Sequence, residues 1–281
     1  MAHDTKGAMT VMAVATSAFD GVYDEGFIPQ NFIGEALIFT QSTLGPTIEG
    51  DAVKMHIPYV STPVAAAIVA EGSEITEGDP GISELLVTTR KVSVLTAVSN
   101  EAKANEGVQD MLTDSLNQSV VDKADAVFLQ NDDQPTGLFN TDGIHEGGTI
   151  TDSLEPIVTA LGAVSDNGGV PTALIMNYGT WAMLLNMHTT TGEPYINPTV
   201  ANSPTPMLFG LPVILNRQAP TGKILVNSKT EVMASYGMLK VSSTEHRYFE
   251  RDATGMRVTF RFGFGVLHPE RLAVLTVTPA E

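Results

Sequence analysis

The chain has no cysteine. That excludes disulfides, a thiolate metal site and a cysteine nucleophile, and it suits a protein made in the cytoplasm. Cations are scarce: 15 Lys plus Arg stand against 32 Asp plus Glu, a formal charge of −17. Phosphate contacts need a positive footprint, so nucleic-acid binding is not the main task, although enclosing nucleic acid at a distance stays compatible with the charge. No apolar run approaches the ~20 residues of a membrane-spanning helix. Residues 8–19 come nearest to a signal-peptide core. A single Lys and an Asp precede them and Thr16 and Ser17 interrupt them, so a short amphipathic helix or an arm is the better reading.

Chemistry-bearing patterns are also missing. Gly263 and Gly265 fall inside a strand pattern with no Lys-Ser/Thr after them, so they form no phosphate loop. His3, His56, His145, His188, His246 and His268 have no second ligand at zinc spacing and read as surface or packing residues. No Ser sits in a Gly-x-Ser-x-Gly elbow. Asp132-Asp133 closes a helix and reads as solvated, and the sequon Asn117-Gln118-Ser119 lies mid-helix. The expectation is no enzyme, no catalytic residue, no metal and no cofactor.

What is present is an ordered composition, 43% hydrophobic and 17% charged, over 281 residues, enough for one large domain or two ordinary ones. The organising stretch is 106–135. No Gly or Pro occurs between Gly107 and Pro135, and Val108, Met111, Leu112, Leu116, Val120, Ala124, Val127 and Phe128 recur at steps of three and four. That predicts a helix about 35 Å long with one apolar stripe, Asp110, Asp114, Asn117, Asp122 and Asp125 lying mostly off it. Asn105 is the expected cap, and Pro135 with Gly137 the stop.

Before this helix the chain reads as arm and hairpin. Residues 1 to about 30 lack a two-turn apolar face. They form either a disordered tail or an arm ordering against a neighbour through Phe19, Val22, Tyr23, Phe27 and Ile28. Residues 30–40 predict a short helix. Val53, Met55, Ile57 and Tyr59 alternate with Lys54, His56 and Pro58 as a half-buried strand. A turn-rich acidic tip follows, with Glu71, Glu74, Glu77 and Asp79, and residues 83–98 predict one very long strand. Its first half is polar on both faces, with Arg90 and Lys91, and its second half is apolar. A two-stranded hairpin is marginal alone in water, so its outer half lies on something or moves. The reading is an arm reaching for another subunit, with an ordinary edge hairpin as the alternative.

After the long helix a Gly-rich connector, 137–148, leads to a second amphipathic helix on Leu154, Ile157, Val158, Leu161 and Val164, closed by Asn167-Gly168-Gly169. Strands at 173–176, 209–215 and 224–226, a helix at 179–187 with Trp181, Leu184 and Leu185 in its core, and a loop at 189–205 make a mixed α/β layer. No Lys or Arg occurs between Lys123 and Arg217, either by chance in an acidic chain or because this surface packs close around neighbours. The last part predicts a hairpin, 245–251 and 256–266, turning at Asp252-Ala253-Thr254-Gly255. Val258, Phe260, Phe262, Phe264 and Val266 share one face and Arg257, Thr259 and Arg261 the other. A closing strand follows at 272–277. Lys240, Arg247, Arg251, Arg257, Arg261 and Arg271 thus gather opposite the acidic tip, for intersubunit attraction or for ordinary surface pairing, which is worth little.

The order apolar arm, long hairpin, long helix, α/β body and returning hairpin resembles the major capsid proteins of tailed bacteriophages, the Hong Kong 97-type fold. Local matches run along nearly the whole chain: Ile28-Pro29-Gln30, Ala70-Glu71-Gly72, Val98-Ser99-Asn100-Glu101, Gln134-Pro135-Thr136-Gly137-Leu138, Pro171-Thr172-Ala173-Leu174-Ile175-Met176-Asn177 with Thr180-Trp181, Leu208-Phe209-Gly210-Leu211-Pro212-Val213, and Val266-Leu267-His268-Pro269-Glu270. The resemblance implies an α+β fold divided into an N-terminal arm (1–33), a peripheral domain (34–51, 93–152 with a spine helix at 107–131, and 241–281), an extended loop hairpin (52–92) and an axial domain (153–240). It implies hexamers and pentamers of an icosahedral head around double-stranded DNA, held without sequence-specific binding and without a membrane. It also implies a virion location after assembly in the host cytoplasm, with a portal and an optional decoration protein as partners. Many relatives carry a helical scaffolding segment before the arm. Met1 lies close to the arm here, so the expectation is a separate scaffolding protein or assembly without one. No Lys–Asn cross-link pair is identified. An encapsulin-like compartment is the alternative within the fold, and a soluble α/β enzyme the alternative outside it. The residues expected at intersubunit contacts are Phe19, Tyr23, Phe27, Glu71, Glu74, Glu77, Asp79, Arg90, Lys91, Arg247, Arg251, Arg257 and Arg261.

Overall fold

The computed structural model describes residues 25–278, apart from 49, 51, 63, 65, 67, 70, 73, 75, 76, 104, 105, 189, 190, 192 and 197–205. Strands β1 (Glu25–Phe27), β2 (Thr43–Leu44), β3 (Lys54–Thr62), β4 (Gly81–Ser99), β10 (Val232–Tyr236), β11 (Leu239–Tyr248) and β12 (Ala253–Val266) form one sheet, ordered β1-β11-β12-β10-β2, with β4 pairing both β12 and β3. Strands β5 (His145–Ile150), β6 (Ala173–Met176), β7 (Met207–Leu208), β8 (Leu211–Leu215), β9 (Lys223–Asn227) and β13 (Ala273–Val277) form the other, ordered β5-β13-β9-β6-β8-β7. Sheet pairing does not follow the expected domain limits. The strands β5 and β13 join the second sheet, where Ala273, Leu275 and Val277 complete a core, whereas β10 joins the first.

Short helices α1 (Gln30–Ile33) and α2 (Leu37–Thr40) replace the single helix expected over 30–40. Ala36 is extended (ψ 139), and the Leu37 N–H leaves the first turn to donate to Asp125 Oδ1 at 2.8 Å. After α3 (Asn100–Lys103) the long helix α4 runs from Glu106 to Gln130. Its expected cap, Asn105, lies outside the described residues. It ends before Pro135 because the following turn folds back on it: Asn140 Nδ2 donates to Gln130 O, and the Gly137 N–H to Asn131 O at 2.8 Å. A Cβ on Gly137 would sit 2.4 Å from Asn131 N, so only glycine fits there.

Leu116, Val120, Ala124, Phe128 and Leu129 of α4 are buried, as the 3.6-residue period requires, but Met111 is 73% exposed and Asp125 only 4%. The predicted stripe is therefore wrong at both positions. The helix packs on the apolar face of β12, where Phe260, Phe262 and Phe264 stand in a stacked row along one side of the strand. Phe128 meets Phe264 edge to face at 4.9 Å, and Phe39 reaches Phe260 at 6.1 Å.

The β11–β12 turn also differs from expectation. It occupies a 3-10 turn at Phe249–Arg251, with Asp252 left-handed (φ 48), and Gly255 lies inside β12. Glycine at 255 leaves room for a side chain instead: a Cβ would stand 3.1 Å from the Tyr248 ring, a tight contact. Helices α5 (Glu155–Asp166) and α6 (Tyr178–Leu185) pack with the second sheet. Ile157, Ala160, Val164 and Leu184 are buried, while Val158, expected in the core, faces solvent. Asn177 Oδ1 caps α6 by accepting from the Thr180 N–H at 2.7 Å.

Candidate functional site

The longest strand carries the candidate surfaces. At ~3.3 Å per residue, β4 spans about 60 Å. It changes partner midway: Thr89–Ser99 pair with Gly263–Ala253 of β12, and Gly81–Thr88 pair with Thr62–Lys54 of β3. The inner half belongs to the body, and the outer half forms a ribbon with β3. Glu71, Glu74, Glu77 and Asp79 are exposed in the segment joining the ribbon's two strands.

The basic residues lie elsewhere. On the outward face of the first sheet, Lys91 stands directly opposite Arg261, Lys240 opposite Thr259, and Arg257 opposite Leu95 and Ser242. The part of β4 from Thr89 on and β12 contain no Asp or Glu, and β11 contains Glu245. Arg257 donates to Ser242 Oγ and Arg261 to Thr89 Oγ1, both at 3.1 Å. Like charges placed opposite across strands are unfavourable, and Lys91 faces Arg261 across β4 and β12. Arg247 and Arg251 lie beyond this pair, at the end of the sheet where Ala253 pairs with Ser99, and Arg247 covers the Tyr248 ring at 5.5 Å. The Phe249 ring between them is 84% exposed.

The expected contact residues thus separate into groups. The four tip carboxylates share one end of the hairpin. Lys91, Arg257 and Arg261 share one face with Lys240, which the sequence already placed among the basic residues of the last part. Arg90 points away from that face, as strand alternation requires, and its Nε donates to Gln134 O at 2.6 Å, bracing the turn after α4. Phe27 pairs through its backbone with Leu239; its side chain, with Phe19 and Tyr23, falls outside the described residues. Lys91 lies ten residues along β4 from Gly81, about 33 Å, so a chain's own tip stands well away from its own basic face.

Two polar joints were not legible in the sequence. Asp125 accepts from the Leu37 N–H and, through Oδ2, from Asn216 Nδ2 at 2.7 Å, tying α4 to α2 and to the loop after β8. Burial pushes its carboxyl from the ordinary 3.8 up to about 6, against the lowering pull of those two donors. Glu231, buried between the sheets, accepts from Arg271 Nη1 at 3.0 Å and pairs with His268 Nδ1 at 2.7 Å. Asp125 follows the period of the apolar stripe one residue late, and Glu231 has no local pattern at all. Among the described residues no group of acidic or histidine side chains is arranged to hold a metal ion.

The sequence of residues 39–277 matches the model of the Phage capsid family. Among curated proteins nothing matches. Solved structures resemble the chain across most of its length. A chain from Gordonia phage Cozz is 18% identical and superposes with a TM-score of 0.67, over 88% of this chain and 87% of that one. The capsid of an empty GTA particle is 13% identical with a TM-score of 0.69, over 86% and 90%. A chain from Mycobacterium phage Bobi is 16% identical with a TM-score of 0.63, over 93% of both. At such identities the likeness establishes the shared fold, a mixed α+β architecture of the Hong Kong 97 type.

Proposed function

The chain belongs to the phage capsid family, and from that premise we propose that its copies close as hexamers and pentamers into an icosahedral head around double-stranded DNA. It is a major capsid protein, a structural component of the virion shell and not an enzyme. The rest of the proposal concerns how copies join. The N-terminal arm and the β3–β4 hairpin bridge subunits, and the acidic tip of one copy docks on the basic sheet face of another. The observation that carries this is the separation of the two charge groups: the tip stands about 33 Å from its own Lys91, so its complement is another chain's. Each contact is weak and screened by salt, and symmetry multiplies it. The exposed Phe249, flanked by Arg247 and Arg251, offers a second contact at the other end of the sheet.

An acidic inner wall would hold DNA without binding its sequence, mild repulsion preventing adhesion. A separate scaffolding protein, a portal and an optional decoration protein complete the proposed assembly, which takes place in the host cytoplasm. The division into arm, peripheral domain, extended loop and axial domain is part of the same reading.

Charge reversal tests the docking. Replacing Glu71, Glu74, Glu77 and Asp79 together by Lys is expected to leave the far-ultraviolet circular dichroism unchanged and to abolish shells in negative-stain micrographs. Adding Lys91→Glu and Arg257→Glu is expected to restore part of the yield. Normal shells from the tip variant alone would remove the electrostatic contact from the account.

A further inference from the structure

The base of the hairpin is seated on the body at three successive points. Gly263 lies under β4, where a Cβ would stand 2.7 Å from Thr88 O and 2.8 Å from Val87 Cγ1. Gly265 lies under Leu85, where a Cβ would meet Cδ2 at 3.0 Å. One step further out, Tyr59 stands opposite Ser83, and its ring meets that of His268 edge to face at 5.3 Å. Beyond this pair the ribbon opens to solvent, with Val60 52% and Ile82 76% exposed. Tyr59 is therefore the last seated aromatic of the hairpin, and the two glycines inside β12 are notches that admit its base.

The ring beneath Tyr59 is held from the other side. Glu231 is acceptor-only when ionised, so His268 donates through Nδ1, and Arg271 occupies the second carboxylate oxygen while its Nε donates to Asn167 O at 2.9 Å. The other ring nitrogen, His268 Nε2, is buried without a hydrogen-bond partner among the described residues. An unpaired buried polar atom opposes the burial that creates it. Ring contact and notch packing hold the hairpin down, and a buried nitrogen without a partner in the ring beneath Tyr59 opposes that packing.

We infer that Tyr59 on His268 is a releasable clasp that positions the hairpin, with His268 fixed by Glu231 and Arg271 as its seat. Tyr59 acts through its ring, so the phenolic oxygen is dispensable. The glycine notches set the angle at which the ribbon leaves the body, and the clasp sets how often its base lifts. None of this requires a second copy, so its failure and the failure of the shell reading can be told apart.

Amide hydrogen exchange on the dilute full-length chain tests it, comparing peptides that cover 54–62 and 81–88 with peptides from β6 and β9. Tyr59→Ala is expected to raise exchange in the hairpin peptides by about tenfold, the size expected for losing an aromatic contact and its burial, and to leave β6 and β9 unchanged. Tyr59→Phe should exchange as the wild type does. Exchange unchanged in the hairpin of Tyr59→Ala would overturn the clasp. So would an equal rise in β6 and β9, which would mean lost global stability, or a Tyr59→Phe variant as open as Tyr59→Ala.

Discussion

Asp125 shows how one residue joins parts of the chain that sequence reading keeps apart. It lies on the long helix, yet its two oxygens hold the start of α2 and the side chain of Asn216. Its raised pKa means that the native chain holds a proton that the unfolded chain releases between about pH 4 and pH 6. The stabilisation is full below that window and is lost as pH rises through it, by on the order of 3 kcal/mol for a shift of this size. Asp125→Asn cannot titrate, so the difference in urea midpoint between wild type and variant should shrink or change sign between pH 4 and pH 6.5, the wild type weakening relative to the variant. A difference constant across that range would show that the carboxyl is not titrating at this joint. Periodicity assigned Asp125 to the polar side because aspartate is almost always solvated. Only the unpaired Leu37 N–H, generated when α1 and α2 separate, explains its burial, and no local pattern announces that break.

At the scale of elements, long periodic segments were legible and turns were not. The alternation from Val258 to Val266 gave β12 its faces, and the Ile157–Val164 period gave α5 its buried side. A change of role along β4 was visible as a change from polar to apolar residues at Val92, whereas the change of partner comes three residues earlier, at Thr89. The β11–β12 turn was misplaced because Gly255 looked like a turn glycine, whereas it makes room for the Tyr248 ring. The same holds at Gly263 and Gly265, whose role depends on a hairpin 180 residues earlier in the chain and so leaves no local trace. The joint between α4 and β12 rests on aromatic packing, and Phe128, fully buried against Phe264, is its centre. Phe128→Ala is expected to lower stability by about 3–5 kcal/mol in urea unfolding. A loss below about 1 kcal/mol would show that the phenylalanine row, rather than the helix, carries this core.

For the whole molecule, the sequence pointed to a shell-building fold through the order of its parts, and the family match over residues 39–277 agrees. The candidate contact surface was only partly legible. Acidic and basic groups, Lys240 among them, could be named from the sequence, but which of them share a face required the register of β4 and β11 on β12, which sets Lys91 opposite Arg261 and Lys240 opposite Thr259 and leaves Arg90 on the other side. A net charge of −17 makes copies repel at long range, so the contacts that close a shell must be local and complementary. In the proposed assembly the hairpin joins one copy to the next while the body folds without it. The direct measurement is negative-stain microscopy of the chain with residues 63–81 deleted, expressed beside the wild type under identical conditions and with the same scaffolding protein. Closed shells are expected from the wild type, and from the deletion a soluble protein with the wild-type circular dichroism spectrum and no shells. Shells of normal size from the deleted chain would contradict that joining role.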